Sequence, residues 1–228
     1  RPRRLWAPSV EQGKNAEQSL AKLLWRDIRE RGAVNVDSRG ASSTAGALRA
    51  LAFATRDKGR AVDFDVQWGS DDQGKLFRFH VAPGLGWAAL KDSLGRFERL
   101  TASPKSDHRL LARAIKATDK KEGTVCVEGQ IEDKNALFRL VKALAELQLL
   151  IGSRKVARCV ALPVKRTSSS LSKETHDTQE KQENLRVYVW IEARARPSSD
   201  GSGGSPAGKS KSTSVHTDGE ERLCDSTG

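Results

Sequence analysis

The sequence predicts a mixed α/β fold built twice over, and three observations lead there. A layout of polar turn, glycine-closed amphipathic helix, short β-branched strand, second helix and long hairpin runs from Leu5 to Val81. It returns from Phe97 to Ile191, about 90 residues later. Ser19-Leu20-Ala21-Lys22-Leu23-Leu24 followed by Gly32-Ala33-Val34-Asn35-Val36 answers to His108-Arg109-Leu110-Leu111-Ala112 followed by Gly123-Thr124-Val125-Cys126-Val127. The 228 residues leave room for two units of about 80–100 residues each. The predicted organisation is one unit over 1–82, a linker over 83–96, a second unit over 97–196 and a tail over 197–228.

Taken in order, Leu5 and Trp6 can start a short strand after a basic N-terminal segment. Leu20, Leu23, Leu24 and Ile28 recur at helical spacing, and Gly32 closes that helix. Val34-Asn35-Val36 alternates as a strand that stops at Arg39-Gly40. The alanine-rich stretch from Ala41 to Arg56 predicts a closely packed second helix. Ala61–Trp68 and Leu76–Val81 alternate on either side of a glycine turn, the pattern of a hairpin with one buried face. On that pattern Asp63 and Asp65 line the solvated face, whereas Trp25, Trp68 and Trp190 fall on apolar faces and belong to the core.

Pro83-Gly84-Leu85-Gly86 marks the boundary, with a short helix expected over Trp87–Leu94. The second unit opens at Phe97–Thr101 and continues with a helix over Leu110–Thr118 and a strand over Thr124–Val127. The strongest helical pattern is Asn135–Leu150, with Leu137, Leu140, Val141, Leu144, Leu147 and Ile151 on one face. Val156–Pro163 and Leu185–Ala193 read as strands joined by a polar arm, residues 164–184, of mixed charge. From Pro197 onward Ser, Gly and Lys dominate, a composition that cannot bury enough apolar surface to order itself.

Charge supplies the first functional clue. The chain carries +11 with a pI near 9.8, which points to a polyanionic partner. The tail sets Lys209, Lys211 and Arg222 against Asp200, Asp218, Glu220, Glu221 and Asp225, a net −2, so residues 1–196 carry +13. Basic residues gather at predicted turns: Arg56, Lys58 and Arg60, then Lys120 and Lys121. Lys165 and Arg166 open the polar arm. Arg1, Arg3, Arg4 and Trp6 form a basic segment with an aromatic that could either stack on a base or pack on the sheet. Outward cations of this kind neutralise phosphates without reading sequence.

Other classes find little support. Cys126, Cys159 and Cys224 are three in number and lack metal-ligand spacing; Cys126 and Cys159 sit in apolar runs, as buried reduced thiols do. His80, His108, His176 and His216 neither share metal spacing nor accompany a nucleophile pattern. No metal, cofactor or catalytic residue is expected, and no apolar run approaches the roughly 20 residues of a membrane span. The sequence lacks methionine altogether. Removal of a targeting peptide would explain this, as would an incomplete chain.

The order strand, helix, strand, helix, long hairpin resembles the Alba superfamily and the stage V sporulation protein S type. Arg31-Gly32-Ala33-Val34-Asn35-Val36 looks like the family's first helix entering its second strand. Val36-Asp37-Ser38-Arg39-Gly40-Ala41 resembles the strand end that delivers an Arg-Gly pair to the next helix. Leu100-Thr101-Ala102-Ser103-Pro104-Lys105-Ser106 resembles the turn before the first helix of the sporulation type. The resemblance implies small nucleic-acid-binding modules that pair through their second helices, here Ala45–Ala54 and Leu137–Leu150 as an internal pseudo-dimer. It implies a binding arginine at Arg39 and basic-turn residues at Lys105 and Lys14; Arg109 follows in the next helix. The second copy has Glu128-Gly129-Gln130 where the first has Ser38-Arg39-Gly40, so it lacks the arginine.

Together these readings predict a non-catalytic RNA-binding or scaffold protein of a large ribonucleoprotein, with structured RNA such as ribosomal RNA and neighbouring proteins as partners. A mitochondrial ribosome or RNA-processing particle in the matrix is the specific expectation. The alternatives are a DNA-binding chromatin or nucleoid protein, nuclear or cytoplasmic, and a protein–protein adaptor.

Overall fold

The computed structural model describes residues 2–57, 61–84, 97–165 and 183–194. Residues Arg1–Arg194 make one compact unit. Its frame is a single eight-stranded mixed sheet in the order β1-β2-β4-β3-β7-β8-β6-β5. The strands are β1 (Arg3–Trp6), β2 (Val34–Ser38), β3 (Val62–Asp71), β4 (Gly74–Pro83), β5 (Arg99–Thr101), β6 (Val125–Gln130), β7 (Lys155–Lys165) and β8 (Glu183–Ala193). Four helices accompany them among the described residues: α1 (Lys14–Arg31), α2 (Gly40–Asp57), α3 (His108–Glu122) and α4 (Lys134–Ile151).

The strand order reads the same from both edges inward. β1 runs parallel to β2 and β5 parallel to β6, whereas β2–β4, β3–β4, β6–β8 and β7–β8 are antiparallel. Registers match residue for residue. Leu5 faces Val36 and Leu100 faces Val127; Asp37 faces Arg78 and Glu128 faces Arg186. The Ala7 amide donates to the Asp37 carbonyl at 2.9 Å, and the Ala102 amide donates to that of Glu128 at 2.8 Å.

The helix ends match as well. Gly32 and Gly123 both adopt left-handed backbone, φ 75° and 73°, and their amides close the last turns on the carbonyls of Ile28 and Asp119. Only glycine takes that conformation without a Cβ penalty, so these two residues set where each helix turns into its strand.

The halves meet at the centre, where β3 and β7 are antiparallel and Phe64 pairs with Cys159. These two residues are equivalents: Phe64 faces Val81, which faces Val34, while Cys159 faces Val189, which faces Val125. A residue meeting its own counterpart is what a two-fold axis at that point produces.

The helices lie in the order α1-α2-α4-α3, each packed on the next. One continuous cluster joins them to the near face of the sheet. It contains Leu24, Leu48 and Leu51 from the first half, Leu137, Leu140 and Leu144 from the second, and Phe64, Phe79, Val127 and Val187 from the strands. Each fully buried side chain of this size contributes about 1.5–3 kcal/mol of transfer free energy. Short side chains on α2, including Ala45, Ala47, Ala50 and Ala54, are fully buried and allow this close central packing. Gly46 goes further: a Cβ there would lie 2.1 Å from the Pro8 carbonyl oxygen.

Two expectations change. Asp63 and Asp65 are not solvated; they are 7% and 3% exposed. They do stand on the face away from the helices, but β7 flanks β3 there, and Arg158 comes within 3.5 Å of Asp65. Of the three tryptophans assigned to the core, Trp25 packs against it, half-buried, with its indole N–H on the Ala54 carbonyl at 2.8 Å. Trp190 instead donates to Glu192 on the reverse face. Trp68 lies at the end of its row, 36% exposed and against Phe77. The expected linker helix, most of the polar arm and the tail lie outside the described residues.

Candidate nucleic-acid interface

Phosphate binding needs cations that are exposed and not already neutralised. The centre of the reverse face fails the second condition. Its arginines are held by carboxylates: Arg78 forms two 2.8 Å hydrogen bonds to Asp37, Arg158 bonds Glu192 at 3.0 Å and faces Asp65, and Arg186 bonds Glu128 at 2.9 Å. On the two edge strands, Arg4 and Arg99 are exposed on this face without an ion pair among the described residues. Burial alone would raise the Glu128 pKa. Hydrogen bonds from Arg186 and Asn184 prevail and hold its carboxyl below the usual range. The Asp37 hydrogen bonds likewise raise the Arg78 guanidinium.

Nor is this face uniformly polar. Cys126, Val160 and Tyr188 are buried on it, and the Phe97 ring packs edge-on against Tyr188, centroids 5.8 Å apart. Burial pushes up both thiols, Cys126 and more strongly Cys159, so neither is a ready nucleophile.

At one end of the first half stands Arg39. It bonds Asp71 and Gln73 in the β3–β4 turn, and its guanidinium lies 5.7 Å from the centre of the Trp6 ring. Trp6 is 56% exposed, neither buried against the sheet nor free of a cation. The acidic turn thus consumes the arginine that the sequence singles out.

Because Asp37 and Glu128 face equivalent arginines, the sequence match shifts by one residue: the matching end of the second half has Gln130, not Gly129, in place of the arginine and opens into a groove lined by Arg99, Ser103, Glu128, Gln130, Asn184 and Arg186. Lys105 projects beside it from the turn closed by Ser103 and Ser106, exposed and without an ion pair.

The helix layer is different. α3 is capped by Asp107, which accepts the amides of Arg109 at 2.8 Å and Leu110 at 3.2 Å; those bonds lower its pKa. Leu111, Ala112, Ile115 and Thr118 face the core, so the helical period turns Arg109, Arg113, Lys116 and Lys120 outward together. The row is nearly free of acid: Arg109 reaches Glu146 only at 4.0 Å, and the Lys116 ammonium bonds the Leu150 carbonyl at 2.8 Å. On the opposite flank Lys22, Arg26 and Arg29 form a shorter row on α1. There Arg26 lies 3.7 Å from Asp27, and exposed Glu30 occupies the place that Lys121 holds on α3.

Of the residues singled out from sequence, the structure therefore brings Lys105, Arg109, Lys120 and Lys121 onto one helix and its leading turn. It disperses the rest. Arg3 lies 3.5 Å from Asp27 on α1, Arg4 sits on edge strand β1, and Lys14 lies 5.6 Å from the Phe53 ring centre. Arg1, Lys58, Arg60 and Arg166 lie outside the described residues, as do the side chains of Arg56 and Lys165.

Arg113 and Lys116 were missed, although applying the helical period to cations as well as to leucines would have found them. No group of His, Cys, Asp and Glu among the described residues has metal-site geometry, and no helix there is long and apolar enough to cross a membrane. Comparisons with protein-family models, curated proteins and solved structures return no match to this chain.

Proposed function

We propose that this chain is a non-catalytic RNA-binding scaffold of a large ribonucleoprotein, made of two Alba-like halves joined as an internal pseudo-dimer. The observation that carries the reading is the placement of charge. Residues 1–196 hold +13, and the arginines at the centre of the reverse face are spent on carboxylates, while the cations of the outer helices face solvent. Support for the Alba-like description comes from the repeated strand and helix order, the glycine-closed helices and the central packing of α2 on α4. The test is a binding titration of the full chain against structured RNA, single-stranded RNA and duplex DNA at several salt concentrations. Structured RNA is expected to bind most tightly, with affinity falling steeply as salt rises. Stronger binding to duplex DNA would turn the reading to a nucleoid or chromatin protein.

A protein adaptor is the second reading. It draws on Leu110 and Leu149, 62% and 64% exposed, and on Leu150 beside the latter at the end of α4. An interface built on these leucines would change little between low and high salt.

A further inference from the structure

Resting on the RNA-binding reading, we infer that the docking surface is the outer ridge of α3 and that its ligand is the backbone of a base-paired RNA stem. The ridge comprises Lys105 in the leading turn, then Arg109, Arg113, Lys116 and Lys120, with Lys121 beside the last. From Arg109 to Lys120 is eleven residues, roughly 16 Å along the helix at 1.5 Å per residue. A DNA duplex rises about 3.4 Å per strand step, so that length passes about four or five of its phosphates on one strand, and the more compact A-form RNA stem presents at least as many.

Three features favour this surface and this ligand. First, Lys105, Arg109, Arg113, Lys120 and Lys121 are exposed, with Arg109 reaching Glu146 only at 4.0 Å and half-buried Lys116 held by a carbonyl and no acid, whereas Arg39, Arg78, Arg158 and Arg186 could reach a phosphate only by abandoning a carboxylate. Second, the row follows one helix whose opposite side is anchored in the core by Leu111, Ala112 and Ile115. It can therefore follow a regular backbone without being reordered. Third, α3 contains no phenylalanine, tyrosine or tryptophan, and its one imidazole, His108, stands at the first position of the helix. Unstacked single-stranded bases are held by aromatic platforms, and the most exposed tryptophan among the described residues, Trp6, belongs to the other half of the sheet. Cations without platforms position a phosphate backbone and leave the bases unread. The ridge therefore accepts stems with little regard to sequence.

The test compares two variants of the full chain that remove equal charge from exposed positions: R109Q/R113Q/K120Q on α3 and K22Q/R26Q/R29Q on α1. Each is titrated with an RNA hairpin stem, an unstructured RNA of equal length and a DNA duplex across a range of salt, after a thermal melt confirms folding. The α3 variant is expected to lose ~10-fold or more in stem affinity, and its log–log salt slope should shrink by about 3, near 0.9 per lost phosphate contact. The α1 variant should change less than about threefold. Equal losses in the two variants, or an unaltered α3 variant, would overturn the ridge while leaving RNA binding intact. Tighter binding of the unstructured RNA would overturn the stem. A wild-type chain that binds no RNA near physiological salt would overturn the functional reading itself, and this inference with it.

Discussion

The two halves of the sheet share a hydrogen-bonded frame and differ in what they hang on it. Both place an arginine on the edge strand, Arg4 or Arg99, and an acid–arginine pair beside it, Asp37–Arg78 or Glu128–Arg186. Yet the first half crowds its strand ends with Trp6, Arg39 and the acidic turn, leaving a hollow at Trp6, Asp71 and Gln73, while the second leaves a larger groove beside Lys105. On the helix side the contrast lies in placement: each helix carries five Lys and Arg, but four of those on α3 share one outward row, against three on α1. A repeated backbone thus constrains registers and turn glycines but leaves exposed side chains free to diverge. The longest row of spare charge lies in the second half.

The seam gives the largest test of this comparison. Phe64 and Cys159 occupy equivalent places on either side of the axis, but Phe64 fills far more of the shared core. Phe64→Ala should cost about 3–5 kcal/mol in chemical denaturation, and Cys159→Ala about 1 kcal/mol. Similar losses would mean that the seam is packed from both sides alike.

Next come the acid–arginine pairs. The Asp37 side chain is 3% exposed and that of Glu128 21%. Removing an acid strands its arginine, at about 2–3 kcal/mol for Asp37→Ala. Glu128→Ala should cost about half as much, because water can replace more of what is lost; the reverse order would contradict the burial argument.

Gly46→Ala probes how tightly the first half is sealed. The added methyl meets the Pro8 carbonyl, so a loss of about 1–3 kcal/mol is expected from overpacking. No loss would show that the β1–α1 connection yields.

Glu17 makes a smaller, pH-dependent contribution. Arg49 ties this buried carboxyl at 3.4 Å to the Ile131 carbonyl of the other half, and burial outweighs Arg49 in raising its pKa. A carboxyl raised in the native state stabilises most below its unfolded value, and that contribution fades as pH rises through the native value. Glu17→Gln should flatten the stability profile just above the ordinary carboxylate range; an unchanged profile would remove Glu17 as its source. Smallest of all, Arg39→Gln should leave RNA affinity within about twofold, since its charge is already matched; a large loss in the same titration would return the site to the first half.

Most of the frame was legible. Leucine spacing located α1 and α4, the glycines at 32 and 123 marked where helices stop, and alternation from Val62 to Val81 found the β3–β4 hairpin. What alternation cannot report is whether a face is covered. It grouped Asp63 with Asp65 correctly, but their burial depends on β7, almost a hundred residues away in the chain. The site was harder still. Arg39 is a conspicuous cation in sequence, and its neutralisation by Asp71 depends on a hairpin turn returning to the strand end. Arg113 and Lys116 look ordinary until the helix aligns them with Arg109.

The ends of the sheet carry a different consequence. A sheet with two equivalent edges invites strand addition at both, and copies could in principle extend it into a ribbon. Its outermost strands are four and three residues long, and both bear arginine on the rim. Short, charged borders offer a poor template for intermolecular pairing. The duplicated architecture thereby carries its own protection against polymerisation.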